Sequence, residues 1–190
     1  MSGPISRVCV YAGSNTGTCP KYAEAAGNLA VTLAGQGIEL VYGGANRGLM
    51  LTLARTMLAQ GGRVVGVMPR FLAEKGVACD GLTGLHVVET MHERKAMMAD
   101  LADAFITLPG GYGSLEELFE TLAWGQLSLH EKACGLLNVR SYYEPLLRFL
   151  DHAVAQGFLR PEHRAILLDD TEPAGLLEKL RAYRAVHVWK

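Results

Sequence analysis

The feature that most limits what this chain can fold into is a set of short runs that stay apolar from end to end. Val8-Cys9-Val10-Tyr11, Leu40-Val41-Tyr42, Val64-Val65-Gly66-Val67-Met68 and Ala104-Phe105-Ile106-Thr107-Leu108 show no apolar–polar alternation. Successive residues of a strand point to opposite faces, so runs of this kind must be covered on both sides. Between them lie alanine- and leucine-rich stretches with helical spacing. Strands alternating with helices, each strand buried on two faces, predict an α/β fold: a Rossmann-like, doubly wound parallel sheet with helices on both faces. At 190 residues, 49% of them apolar, the chain reads as a single domain over 1–190.

Strands are expected at 5–12, 38–42, 64–68, 85–89, 104–108 and 134–138, with a short last one at 165–168. Helices are expected at 22–36, 49–60, 91–101, from the glycine-rich turn after Leu108 to about residue 129, at 142–156 and at 173–185. Gly35 with Gly37, and Gly61 with Gly62, close the first two as C-terminal glycines do. Thr90 and Glu93 have capping-box spacing at the start of the third. The stretch 69–83 reads as a loop with a short helix. In such a sheet the loops 13–17, 43–48, 90–95 and 109–114 emerge at one edge, where ligands bind.

Bulk properties exclude several classes of function. The formal net charge is −1 without a run of Lys or Arg, which argues against nucleic acid or an anionic membrane as partner. No apolar segment approaches the roughly 20 residues that span a bilayer. The start of the chain passes almost directly into Val8–Tyr11 without the features of a signal peptide. Cys9, Cys19, Cys79 and Cys134 form no CxxC pair and read as reduced thiols. The expected location is cytoplasmic.

The stretch most suited to chemistry is Pro109-Gly110-Gly111-Tyr112-Gly113-Ser114-Leu115-Glu116-Glu117, set between a strand and a helix. A glycine-rich turn feeding a helix N-terminus offers unpaired N–H groups and a partial positive charge, which suit a phosphate. The carboxylates behind it need a further reason. Ser114 and Glu117 have the spacing of a capping box, which requires no ligand. Glu116, however, adds a second acid, and Glu117 and Glu120 share one helix face. One of these carboxylates can face the pocket while another faces solvent, and the sequence does not choose between them. Arg94 and Lys95 occur early in a helix, where cations oppose the dipole unless they face an anion. Met91, at the mouth of the same helix, is a candidate pocket wall, and Tyr112 a candidate cover. Gly43 to Gly48 has P-loop spacing, but Leu49 and Met50 occupy the Lys and Ser/Thr positions, so a magnesium-dependent NTPase is excluded. Gly43 and Gly44 then read either as a tight turn or as a ligand contact. His86, His92, His130, His152, His163 and His187 show no metal-ligand spacing, and there is no GxSxG elbow. No metal or organic cofactor is expected.

Met91-His92-Glu93-Arg94-Lys95, followed by Pro109 to Glu117, resembles the LOG family, the cytokinin riboside 5′-monophosphate phosphoribohydrolases long labelled as lysine decarboxylases. The family pattern is PGGxGTxxE with an upstream arginine–lysine pair, and Ser114 keeps the hydroxyl where threonine is usual. Gly43-Gly44 with Gly48-Leu49-Met50, and Gly13-Ser14, resemble its other two loops. The resemblance implies hydrolysis of the N-glycosidic bond of an adenosine 5′-monophosphate or N6-modified relative, releasing base and ribose 5-phosphate. It implies catalysis by Arg94 and Glu117, and contacts to substrate or its phosphate from Gly110, Gly111, Gly113, Ser114, Lys95, Met91, Gly43, Gly44 and Ser14. It further implies an AMP-like substrate as partner and a homodimer. The alternative is a non-catalytic nucleotide-binding or carrier protein of the same fold. A pyridoxal-dependent decarboxylase has no lysine in a supporting context.

Overall fold

The computed structural model describes residues 5–185. Seven strands form one sheet: β1 (Arg7–Tyr11), β2 (Glu39–Tyr42), β3 (Val64–Pro69), β4 (Gly84–Val88), β5 (Ala104–Thr107), β6 (Ala133–Leu137) and β7 (Leu167–Asp170). Their order is β4-β3-β2-β1-β5-β6-β7, and every pairing is parallel. The helices are α1 (Pro20–Gly35), α2 (Gly48–Ala59), α3 (Arg70–Ala73), α4 (Met91–Leu101), α5 (Tyr112–Gln126), α6 (Glu144–Ala155), α7 (Pro161–Arg164) and α8 (Pro173–Ala182). Among the described residues no helix is long and apolar enough to cross a membrane.

The inner strands β1, β2, β3, β5 and β6 are mainly apolar because they are covered on both faces, whereas the edge strands β4 and β7 are partly exposed and carry His86 and Asp169-Asp170. Val8 and Val10 of β1 pack with Leu29 and Leu33 of α1, Leu53 of α2 and Leu176 of α8. Cys9 and Tyr11, one residue out of phase, pack with Met98 and Ala99 of α4. Leu136 and Leu167 support Leu118 of α5 and Leu147 and Leu150 of α6 in a third cluster. Four free cysteines are present, three of them buried in these layers.

The chain builds outward from β1 to β4 and then crosses back, so that β5 lies on the other side of β1. The loops after β1 and β5 therefore leave the sheet in opposite directions, and a crevice opens between them. They are tied together by the Gly13 N–H donating to the Pro109 carbonyl at 3.1 Å, and the Leu49 N–H at the start of α2 donates to the Gly13 carbonyl at 3.0 Å. Gly48 has φ +53°, and a Cβ there would lie 2.3 Å from the Ser14 carbonyl carbon. Only glycine permits that approach.

Several boundaries differ from expectation. The helix expected from 142 begins at Glu144, because Arg140 and Ser141 adopt φ +53° and +57° and a 3-10 turn occupies Val139–Ser141. Helix α7 takes up the residues just before the last strand, which shifts that strand to Leu167–Asp170. Helix α5 stops at Gln126, two residues before Ser128 turns to φ +58°. Helix α8 ends at Ala182 because Tyr183 is extended.

Candidate active site

The crevice at the C-terminal ends of β1 and β5 is a cleft of about 560 Å³. One rim is the loop Ser14-Asn15-Thr16-Gly17; the other is Pro109 to Ser114, with Leu49 and Met50 alongside. Arg94 and Glu117 line it as well. A larger cavity of about 1150 Å³ lies at the opposite sheet edge, lined among others by Asp103, Trp124, His130 and Ala133. It holds neither the glycine turn nor the Arg94–Glu117 pair, so size does not identify the site.

Helix α5 begins at Tyr112 with Gly111 as its N-cap, and no side chain caps it. The capping-box reading of Ser114 and Glu117 therefore fails: both lie inside the helix, Ser114 in its first turn and Glu117 in its second. The N–H groups of the first turn are left for whatever the cleft binds. Ser114 is buried, its Oγ lying 2.1 Å from where a Cβ on Gly110 would sit. The turn thus carries glycine at 110 because the serine hydroxyl occupies that space. Tyr112 is almost fully exposed at the rim.

Behind the turn, Arg94 reaches across from α4. Its Nε donates to the Val67 carbonyl at 3.1 Å, and its Nη1 pairs with Glu117 Oε1 at 2.9 Å. Both side chains are about nine-tenths buried. A Cβ on Gly43 would fall 2.0 Å from Arg94 Nη2. Gly43 is thus the gap through which the guanidinium reaches the carboxylate. Burial pushes the Glu117 carboxyl above its ordinary range, against the pull of Arg94, with a smaller upward push from Glu116. The arrangement is a partly desolvated carboxylate, oriented by a fixed cation, one turn below a helix N-terminus. It can stabilise positive charge developing on a ligand whose anionic end sits at that terminus, or take a proton from water.

The other expected contacts are distributed differently. Ser14, Gly110, Gly111, Gly113 and Ser114 line the cleft; Met91, Lys95, Gly43 and Gly44 do not. Met91 is the exposed first residue of α4, and the methionine at the cleft is Met50 of α2. Gly44 turns with φ +77° toward Leu85 and Met68. Lys95 is buried between Glu116 and Glu120 of α5, with Nζ 3.0 Å from Glu120 Oε1 and in a second hydrogen bond to Glu116. It pins α4 to α5 beside the Arg94–Glu117 pair. Burial works against its charge, but the two carboxylates prevail and raise its pKa. Thr90 accepts a hydrogen bond from the Glu93 N–H, and the Glu93 carboxylate accepts one from the Glu89 N–H. Tyr22, Asn15, Thr16 and Tyr142 also line the cleft. No motif singles them out, and only the fold brings them to the glycine turn. No histidine or lysine among the described residues lines the cleft, and His187 lies outside those residues. The site therefore does not fit a pyridoxal-type cofactor, which needs a lysine amine.

Fold and site together define an α/β protein whose parallel sheet opens, at its switch point, a cleft that holds an uncapped helix N-terminus and a buried Arg–Glu pair. The family model described as "Possible lysine decarboxylase" matches residues 50–180. A probable cytokinin riboside 5′-monophosphate phosphoribohydrolase of Oryza sativa subsp. japonica is 46% identical over 95% of this chain and 74% of its own length. A protein of the same activity, without the qualifier, from Arabidopsis thaliana is 45% identical over 96% of this chain and 80% of its own. Another, from Rhodococcoides fascians, is 47% identical over 92% and 89%. The chain belongs to this family of cytokinin riboside 5′-monophosphate phosphoribohydrolases. Among solved structures, the molybdenum cofactor carrier protein of Chlamydomonas reinhardtii superposes with TM-score 0.71 at 17% identity, covering 95% of this chain and all of that one. The molybdenum cofactor binding protein of Rippkaea orientalis gives 0.69 at 20%, covering 95% and 98%. At these identities the likeness is one of fold.

Proposed function

We propose that this protein hydrolyses the N-glycosidic bond of adenosine 5′-monophosphate or its N6-substituted, cytokinin-type relatives. Water adds to C1′ of the ribose, the bond from C1′ to the base nitrogen breaks, and the base leaves with the bonding electrons and a proton. Ribose 5-phosphate is the other product. The observation that carries this reading is the buried Arg94–Glu117 pair, 2.9 Å apart, on the wall of a cleft rimmed by an uncapped helix N-terminus. The 5′-phosphate binds at Gly110, Gly111, Gly113 and Ser114, with Ser14 on the facing rim. Departure of the base leaves an oxocarbenium-like ribose, whose charge the Glu117 carboxylate opposes at close range. Arg94 holds that carboxylate in place. Lys95 and Gly43 act one layer back, Lys95 by fixing α5 and Gly43 by admitting Arg94.

A carrier function shares the fold but gives no reason to bury an ion pair beside the phosphate seat. The reading extends to a single nucleotide-binding domain working as a cytoplasmic homodimer. Free cysteines support the location, and Phe119, Leu127 and Leu129, exposed on and just beyond α5, support the dimer. The test is base release from AMP, N6-isopentenyl-AMP and adenosine, followed by chromatography. The two nucleotides should yield free base with stoichiometric ribose 5-phosphate, and adenosine should react far more slowly. Release of no base from any of the three refutes the proposal.

A further inference from the structure

The phosphate turn has a support that catalysis as described does not use. Four consecutive carbonyls are each taken by a donor. Leu108 O accepts from the Tyr143 hydroxyl at 2.8 Å, and Gly110 O from the Tyr142 hydroxyl at 2.7 Å. Pro109 O accepts from the Gly13 N–H at 3.1 Å and Gly111 O from the Leu115 N–H at 3.0 Å. The exposed link is the peptide between Gly110 and Gly111. With a glycine on each side, no Cβ opposes its rotation, and a flip would turn a carbonyl oxygen to where an N–H had been. Beside a phosphate that exchanges an attraction for a repulsion. The peptide is planar and trans, so fixing its C=O also fixes its N–H in the opposite direction.

The segment supplying the two tyrosines is built at a cost. Arg140 (φ +53°, ψ +35°) and Ser141 (φ +57°) both sit in the left-handed region without being glycine, a conformation costing about 1 kcal/mol or more per residue. The corner is held by the Tyr143 N–H donating to Asn138 Oδ1 at 2.8 Å. The Tyr142 ring packs edge-on against Tyr143 and Tyr22, with centroids 4.9 and 5.8 Å away. Two strained residues thus deliver one hydroxyl to one carbonyl at the rim of the cleft.

We propose that Tyr142 is a positioning residue for phosphate recognition: its hydroxyl holds the Gly110 carbonyl away from the bound phosphate and, through the planar peptide, aims the Gly111 N–H at it. This rests on the turn being the 5′-phosphate seat. The test is Tyr142→Phe in the full chain, which keeps the ring and removes the lock. Calorimetric titration should show affinity for ribose 5-phosphate weakened about five- to tenfold, the scale of one hydrogen bond, while adenosine binding stays unchanged. The KM for AMP should rise by the same factor, with kcat within about twofold. Ribose 5-phosphate affinity unchanged by the substitution, adenosine affinity falling in step with it, or a variant that no longer folds would each overturn the proposal. So would a wild-type protein with no affinity for ribose 5-phosphate. If the wild type binds ribose 5-phosphate with the expected contrast but hydrolyses no nucleotide, the hydrolase reading fails and the role of Tyr142 stands.

Discussion

Arg94 is fixed at both ends of its guanidinium, by the Val67 carbonyl and by Glu117, and passes over a position that has no side chain. In the proposed reaction that geometry gives Gly43 a role without its touching substrate: it leaves the space that Arg94 occupies. Gly43→Ala should displace the guanidinium and lower kcat about 100-fold, the penalty for a misplacement of about 1 Å, with KM for AMP nearly unchanged in steady-state kinetics. The electrostatics of the pair give a pH prediction. The Glu117 carboxyl titrates above its ordinary value of 4.5 because burial outweighs the attraction of Arg94. In the proposed reaction the working form is the carboxylate, so kcat/KM should fall as pH drops through this raised value. In Arg94→Met the attraction is gone, and the acid limb of the residual activity should move to higher pH. A limb that stays in place would mean that another group controls it. The same shift acts on folding in the opposite sense. The folded chain binds this proton more tightly than the unfolded chain, so the contribution is complete below pH 4.5 and is lost as pH rises through the folded-state value.

At the scale of elements, the site depends on how α4 and α5 meet. Lys95 is buried among Glu116 and Glu120 and lines no part of the cleft. Lys95→Met should cost about 1–2 kcal/mol of stability in denaturant titration and lower kcat modestly, leaving KM for AMP within about twofold. A KM rising tenfold or more would return Lys95 to the phosphate site that its sequence position suggests. Much of the architecture was legible in the residues themselves. A strand buried on two faces shows no apolar–polar alternation, so β1, β2, β3, β5 and β6 announce themselves. Of the candidate site, the convergence was legible: strand–helix alternation brings the loops 90–95 and 109–114 to one sheet edge, and Arg94 there meets Glu117 behind the glycine turn. What stayed hidden is set by tertiary contacts. Met91 and Met50 both open helices, and only the rotation of α4 and α2 on the sheet decides which one borders the cleft. Ser114 and Glu117 match a capping box, but the glycine turn starts the helix at Tyr112 and carries both inside it. Tyr142 looks like a helix residue until a strained corner, paid for by bonds to Asn138 and Leu108, takes it out.

At the scale of the whole molecule, the cleft draws on residues from Ala12 to Tyr142, and only the folded sheet gathers them. Ligand binding must therefore stabilise the entire fold. At about 100 times its dissociation constant, ribose 5-phosphate should add about 2.7 kcal/mol, seen as a Tm several degrees higher in calorimetry. In the proposed reaction the Glu117 carboxylate opposes the charge that develops as the bond breaks while the helix above it holds the phosphate, and the two roles separate in one substitution. Glu117→Gln should still gain thermal stability from AMP, yet release adenine at least about 1000-fold more slowly than the wild type. A Glu117→Gln protein that releases adenine at the wild-type rate would mean that this carboxylate takes no part in the cleavage.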